Sequence, residues 1–211
     1  MKVLVIGATG RTGSIAVRRL LERGDEVTGM VRRPNALRQR HERLREILGE
    51  ARDAPSIQRA VVGHDAVLSA LGPRSLRRAL RRDDLQEVYM RNLVAAMQNT
   101  GVKRLSNLSA NGVGKSYAEL PWFPKLIFAT LARAMIADKE RGEAILLSSD
   151  LDYVNVRPGI LLNGPARGGI EAKPAGFLWF IRREDLADFM VAQLTDKRWV
   201  RQSVVVGYKS G

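Results

Sequence analysis

Apolar residues along this chain gather into short unbroken runs, and the segments between them carry apolar positions at helical spacing. Val3–Ile6 is one such run and predicts a strand buried on both faces. Thr12–Arg23 follows with Ile15, Ala16, Leu20 and Leu21 on one helical face, and Gly24 is placed to stop it. Val27–Val31, Ala66–Leu71, Lys103–Leu108, Tyr153–Val156 and Ser203–Val206 read as further strands, with Arg45–Leu48 a weaker one after a highly charged segment. Helices are predicted over Asp84–Asn99, over a long stretch ending near Ser148, and over Glu184–Leu194. The alternation makes about six or seven β-α units, which predicts an α/β fold with a mostly parallel, doubly wound sheet and helices on both faces.

The first strand enters Gly7-Ala8-Thr9-Gly10-Arg11-Thr12-Gly13, which opens the first helix. That is the position of a dinucleotide-binding turn. Gly7 would permit the tight turn, Gly10 the close approach of backbone N–H groups to a pyrophosphate, and Gly13 the packing of helix on strand. The helix N-terminus would add a partial positive charge. The second strand ends Met30-Val31-Arg32-Arg33-Pro34, without the carboxylate that usually receives ribose hydroxyls in NAD sites. Arg32 and Arg33, with Arg11, suit a 2′-phosphate, so NADP(H) is the expected cofactor. The alternative is a solvated surface in an arginine-rich chain.

Composition narrows the remaining chemistry. The chain has 211 residues, 45% of them hydrophobic, enough for one domain spanning 1–211 with a small C-terminal substrate-side segment. With no cysteine and two histidines, His41 and His64, no metal cluster or thiolate chemistry is expected. The 35 Lys and Arg outnumber 22 Asp and Glu, giving +13, which favours anionic ligands. The arginines are scattered and form no basic tail, so nucleic acid is the weaker candidate partner. The most apolar stretch, Trp122–Ile136, is interrupted by Lys125 and Arg133 and falls short of a membrane span. No signal-peptide pattern precedes the glycine turn, so a soluble, cytoplasmic protein is expected.

No tyrosine is followed at the fourth place by lysine: Tyr89 leads to Leu93, Tyr117 to Pro121 and Tyr153 to Arg157, while Tyr208 is too near the end. Ser109 closes a strand at the carboxyl edge, where open α/β sheets bind ligands. It could bond the nicotinamide amide or a substrate, or only make a local turn; Asn111 and Gly112 support a loop there. Lys139 has Glu143 at i+4, a spacing that also suits a plain helix-face ion pair. Pro158 and Gly159, with Leu71-Gly72-Pro73, would bring backbone close to the cofactor. The run Arg74-Ser75-Leu76-Arg77-Arg78-Ala79-Leu80-Arg81-Arg82 could attract an anionic substrate or be a solvated basic helix.

Taken together, the chain resembles the atypical short-chain dehydrogenases, the NAD(P)-binding or NmrA-like group, and within it the biliverdin-IXβ reductase/flavin reductase branch. The resemblance rests on Gly7-Ala-Thr-Gly-Arg-Thr-Gly13, Val31-Arg32, Gly49-Glu50, Asp65-Ala-Val67, Leu71-Gly72 and Asn92-Leu-Val-Ala-Ala-Met97. It continues through Gly101-Val-Lys103, Ser109-Ala110, Leu151-Asp-Tyr-Val154, Arg157-Pro-Gly159 and Glu184-Asp-Leu-Ala-Asp-Phe-Met190. It implies an NADPH-dependent reductase passing hydride to a planar, anionic small molecule, a flavin or a linear tetrapyrrole. It implies Ser109 beside the nicotinamide, Arg32 near the 2′-phosphate, Glu50 near the adenine and Arg74 on the substrate side. It also aligns Ile160 and Lys139 with positions where the reductases carry histidine. Lys139 is common in the wider group, where it can contact the nicotinamide ribose. The alternatives are a non-catalytic NADP(H) sensor and a quinone-type reductase. Ser109 and Lys139 are therefore the candidate catalytic residues. The cofactor set is Gly7, Thr9, Gly10, Arg11, Thr12, Gly13, Arg32, Arg33, Glu50, Leu71, Gly72, Ser109, Pro158, Gly159 and Ile160, and the substrate set is Arg74 and Asn111.

Overall fold

The first apolar run forms strand β1 (Lys2–Ile6), whose residues 3–6 are all buried. A computed structural model describes residues 1–72, 84–113 and 133–209, the side chains of 133–135 excepted. Helix α1 (Arg11–Arg23) follows and buries Ala16, Val17, Leu20 and Leu21. Gly24 ends it in the left-handed region at φ 95°, a conformation that a residue with a Cβ rarely takes. The chain continues through β2 (Glu26–Val31), β3 (Leu44–Leu48), α2 (Ala54–Val61), β4 (Ala66–Ser69), α3 (Leu85–Thr100) and β5 (Arg104–Leu108). Then come α4 (Arg133–Leu147), β6 (Asp152–Pro158), β7 (Ile160–Leu162), β8 (Ile170–Lys173), β9 (Phe180–Arg182), α5 (Arg183–Ala192) and β10 (Gln202–Tyr208).

Eight strands make one sheet in the order β3-β2-β1-β4-β5-β6-β10-β8. The first seven in that order pair in parallel, and β8 adds an antiparallel edge to β10. Strands β7 and β9 form a separate parallel pair. One apolar core lies where α1 and α5 cover the sheet, built from Val17, Leu20, Leu186, Met190, Val5 and Val156 among others. The other lies under α2, α3 and α4, around Ile57, Tyr89, Leu93, Met97, Leu105 and Leu146. This is the doubly wound Rossmann arrangement expected from the pattern. The winding reverses after β3, so β1 is flanked by β2 on one side and β4 on the other. Their carboxyl ends open the crevice where such sheets bind ligands. Among the described residues, no helix is long and apolar enough to cross a membrane.

The strands and long helices that the pattern predicts are all present, with small shifts at their ends. Helix α2 and strands β7, β8 and β9 lie outside that prediction. Helix α2 is only eight residues long; its signal is the start, where Asp53 accepts from Ser56 N–H and Pro55 occupies the first turn. Strands β7 and β9 have three residues each, too few for any period to show.

Helices α3 and α4 approach closely and set the far wall of the crevice. The Asp138 carboxylate of α4 accepts the Gln86 and Glu87 N–H groups at the start of α3, at 2.9 and 3.2 Å. A carboxylate at a helix N-terminus satisfies orphan donors and complements the dipole. Gly142 makes the approach possible, because a Cβ there would lie 2.8 Å from the Gln86 carbonyl oxygen. Gly142→Ala would gain up to ~1 kcal/mol of helix propensity. It would also force backbone apart at a cost of roughly 1–3 kcal/mol. We expect the cost to win, lowering the midpoint of a thermal or urea transition.

Candidate active site

The glycine turn is built from backbone approaches that exclude side chains. Gly7 sits at φ +82°, and a Cβ on it would lie 2.6 Å from the Ala70 carbonyl oxygen at the end of β4. Gly10 N–H donates to the Gly7 carbonyl at 2.8 Å and closes the turn. A Cβ on Gly13 would overlap that same Gly7 oxygen. Helix α1 therefore starts hard against β1. Its N-terminus has no side-chain cap and no acidic residue in the first turn. By contrast, α2 is capped by Asp53, α3 by Asp138, and α5 carries Glu184 and Asp185 in its first turn. A bare helix start at the switch point of the sheet fits the pyrophosphate of a dinucleotide. Thr9 and Arg11 are exposed on the turn, and Thr12 is buried beneath it. The Arg183 guanidinium is held below its ordinary pKa by burial and by the neighbouring charge of Arg11, so positive potential gathers here.

At the end of β2, Arg32 and Arg33 are exposed, and their guanidinium groups have no ion pair or hydrogen bond among the described residues. The chain then turns through Asn35 at φ 54°. One carboxylate is close by, that of Glu46 on β3, and both its oxygens are occupied. It accepts the N–H groups of Asn35 and Leu37, each at 2.7 Å. Glu50 lies just past β3, exposed, with its backbone tied to Ser56. Leu71 and Gly72 follow β4, and among the described residues nothing stands within 4 Å of the place a Gly72 Cβ would take.

Beyond β5 the strand pairing is prolonged. Ser109 N–H donates to the Val156 carbonyl at 2.8 Å and Asn111 N–H to that of Pro158 at 2.9 Å. This brings Ser109 and Asn111 alongside Arg157 and Pro158. The Ser109 hydroxyl donates to Glu143 of α4, and Arg157 grips the same carboxylate, Nε to Oε1 at 3.2 Å and Nη2 to Oε2. Glu143 is 5% exposed and Arg157 7%. The i+4 spacing allowed an ion pair of Glu143 with Lys139, but among the described residues its ion pair is with Arg157. Lys139 is 7% exposed, and burial holds its ammonium below the usual lysine value despite the charges of Glu143 and Asp138. The Asn111 side chain accepts from Gly112 N–H through its oxygen, while its buried Nδ2 has no partner among the described residues. Ser109 and Asn111 thus lie together at the carboxyl edges of β5 and β6, and Lys139 is one helical turn from the Glu143 that Ser109 contacts. The Glu143–Arg157 pair behind them was not anticipated; its one sequence signal is an arginine inside the apolar strand run Tyr153–Val156 plus Arg157.

Gly159 has a structural reason of its own. A Cβ there would overlap the Leu178 carbonyl oxygen and lie 2.6 Å from that of Trp179. Ile160 begins β7, 55% exposed, its N–H on the Trp179 carbonyl at 2.8 Å. His41 and His64 lie in loops. Of the described tyrosines, Tyr89 donates to Ser69, Tyr208 donates to Asp185, and Tyr153 packs in the core. Arg74, Pro73, Tyr117 and the apolar segment 122–132 lie outside the described residues.

Comparison with known proteins agrees with this geometry. A family model described as NAD(P)H-binding matches residues 7–197. The chain belongs to this NAD(P)H-binding family. The resemblance to an NAD(P)-binding group is borne out with it. An uncharacterized chloroplastic protein of Arabidopsis thaliana is 29% identical over 206 residues, 92% of this chain and 71% of its own length. The fold is shared with an anaerobilin reductase, ChuY, of Escherichia coli O157:H7, at TM-score 0.83 and 22% identity over 100% of this chain and 98% of that one. It is shared also with a short-chain dehydrogenase/reductase of Veillonella parvula in complex with NADP, at TM-score 0.81 and 21% identity over 99% and 95% of the two chains.

Three measurements follow from these contacts. Gly13→Ala should lower stability by roughly 1–3 kcal/mol and abolish dinucleotide binding, because the overlap is with backbone. Gly72→Ala should leave the melting temperature unchanged. For Lys139, the unfolded chain binds more protons than the folded one between the lowered folded pKa and the ordinary value of roughly 10.4. The contribution of this group to stability therefore rises with pH across that window. Lys139→Met should melt above the parent at neutral pH, with the advantage shrinking as pH approaches 10 in a melting series.

Proposed function

We propose that this protein is an NADPH-dependent reductase that delivers hydride to a flat, anionic small molecule, a flavin such as FMN or riboflavin, or a linear tetrapyrrole such as biliverdin. The observation that carries the cofactor choice is the pair of partnerless arginines at the end of β2, beside a carboxylate whose oxygens are both engaged by backbone. A 2′-phosphate finds two guanidinium donors there, while a 2′-hydroxyl finds no carboxylate in the strand-end run Val31-Arg32-Arg33. The NADP in the Veillonella relative's structure and the reductase activity named for ChuY support the same reading.

In this reading the Gly7–Gly13 turn, with Thr9, Arg11 and Thr12, holds the pyrophosphate. Arg32 and Arg33 hold the 2′-phosphate, and Glu50 and Leu71-Gly72 line the adenosine side. Ser109 and the Pro158–Ile160 backbone bracket the nicotinamide. The cofactor supplies the hydride, and the protein supplies orientation and electrostatics. Lys139 and the free amide of Asn111 offer donors to an oxygen on the ribose or acceptor. The acceptor's flat face suits the apolar surface of the β7–β9 segment, where Ile160, Leu162 and Phe180 are exposed and Trp179 stacks near Phe180. That segment is the proposed C-terminal substrate-side element, and Arg74 the proposed contact to an acidic group on the acceptor.

A non-catalytic NADP(H) sensor is the second reading, favoured by the absence of a Tyr-x-x-x-Lys pair in the sequence and by Tyr89 and Tyr208, whose hydroxyls donate to Ser69 and Asp185. One assay separates the two. NADPH oxidation at 340 nm is followed with FMN, FAD, riboflavin, biliverdin and quinones, alongside NADPH binding. Turnover with a flavin or biliverdin is expected; tight binding without turnover on any acceptor would replace the reductase by the sensor. For the cofactor, Arg32→Ala/Arg33→Ala should weaken NADP binding by roughly 10–100-fold, the worth of one or two charge-assisted hydrogen bonds, and spare NAD. Equal losses for NADP and NAD would sink the 2′-phosphate assignment.

A further inference from the structure

The Ser109 hydroxyl has one proton, and the structure commits it. It is donated to Glu143 Oε1, an oxygen that also accepts Arg157 Nε–H at 3.2 Å. Arg157 Nη2 holds the other carboxylate oxygen, so the carboxylate cannot turn away. All three groups are buried, on three different elements: the β5 extension, α4 and β6. A buried charged pair with its hydrogen bonds satisfied is a stiff support. A Glu143 without Arg157 would be an uncompensated charge. An Arg157 without Glu143 would be another. Arg157 takes one acceptor direction on each carboxylate oxygen, and Ser109 takes a second on Oε1.

We propose that Glu143, braced by Arg157, is a positioning residue that makes Ser109 a hydrogen-bond acceptor toward its ligand and not a donor. With the proton turned to Glu143, only the lone pairs of Oγ face outward. The group they suit is an N–H donor, and on a nicotinamide cofactor that donor is the primary carboxamide. The serine then selects the ring by its amide N–H and supplies no proton to the acceptor. This rests on the NADP(H) reading above. It goes beyond that reading by assigning a task to two residues outside the binding set and a direction to the serine proton.

The test compares two ligands that differ only at this group: NADPH and its reduced 3-acetylpyridine analogue, in which a methyl ketone replaces the carboxamide and no N–H remains. Calorimetric dissociation constants are measured for the parent protein, Ser109→Ala, Glu143→Asp and Glu143→Met/Arg157→Met, with a thermal melt of each. The double variant removes both buried charges together, which proteins commonly tolerate. Glu143→Asp keeps the ion pair while drawing the carboxylate back from Ser109, and serves if the double variant does not fold. The parent should prefer NADPH roughly tenfold, the worth of one hydrogen bond. The preference should collapse toward unity in all three variants. General damage to the site weakens both ligands alike and leaves the ratio untouched, so a merely structural role for Glu143 predicts an unchanged preference. Loss of preference in Ser109→Ala alone, with the Glu143 variants like the parent, would overturn the positioning role. Equal affinity of the parent for both ligands would overturn it too. A parent that binds neither ligand would overturn the NADP(H) reading and this proposal together.

Discussion

The contact on which the rest depends is the closeness of α1 to β1. Gly13 rests on the Gly7 carbonyl, and Gly7 in turn lies against the Ala70 carbonyl of the neighbouring strand. Three segments of backbone meet with no side chain between them. That approach aims the axis of α1 at the gap between β1 and β4, where the winding of the sheet reverses. It also explains why the helix start is bare. Any capping side chain or acidic residue would compete for the N–H groups and partial charge that a phosphate needs. The other helices with described starts are capped or begin with acidic residues, so the bare end of α1 is specific to this site.

A second constraint works on the opposite wall. Burying Glu143 and Arg157 costs several kcal/mol of desolvation per ion, on the order of what their attraction returns. The pair is therefore poor evidence of net stability. What it does provide is a fixed carboxylate at the carboxyl edge of β5 and β6, held by two guanidinium nitrogens. Helix α4 can carry that carboxylate to the sheet because Gly142, its neighbour, lets α4 close on α3, and Asp138 pins the start of α3 from the same helix. Fold and site share these residues: a change in the α3–α4 packing moves Glu143, and with it Ser109.

Much of this was legible before any coordinates. Unbroken apolar runs mark the parallel strands because such strands are covered on both faces, and Val3–Ile6 followed at once by Gly7 locates the phosphate turn by adjacency alone. Ser109 was readable as a strand-end residue for the same reason. The short elements were not. Helix α2 has fewer turns than its period needs, and β7–β9 are stabilised by carbonyls crossing Gly159 and Gly207, a contact between segments distant along the chain. The partnership of Glu143 and Arg157 was hidden for a related reason. Spacing along a helix suggested Lys139 as the partner of Glu143, whereas the sheet brings up an arginine from the next strand. Local period sees neighbours on one element, and a buried ion pair is made between elements.

These two walls also limit the chemistry open to the crevice. Ser109 gives its proton to Glu143, Tyr89 donates to Ser69 and Tyr208 to Asp185, so none of these three hydroxyls is a ready proton donor to an acceptor. Lys139 is a described candidate, and burial lowers its pKa, which makes its ammonium a better acid than that of an exposed lysine. A carbonyl substrate would need that proton in concert with hydride. A flavin or an extended conjugated tetrapyrrole spreads the incoming charge over a large π-system and can take its proton from water afterwards. The flat, delocalised acceptor proposed above would therefore ask less of Lys139 than a simple ketone or aldehyde would.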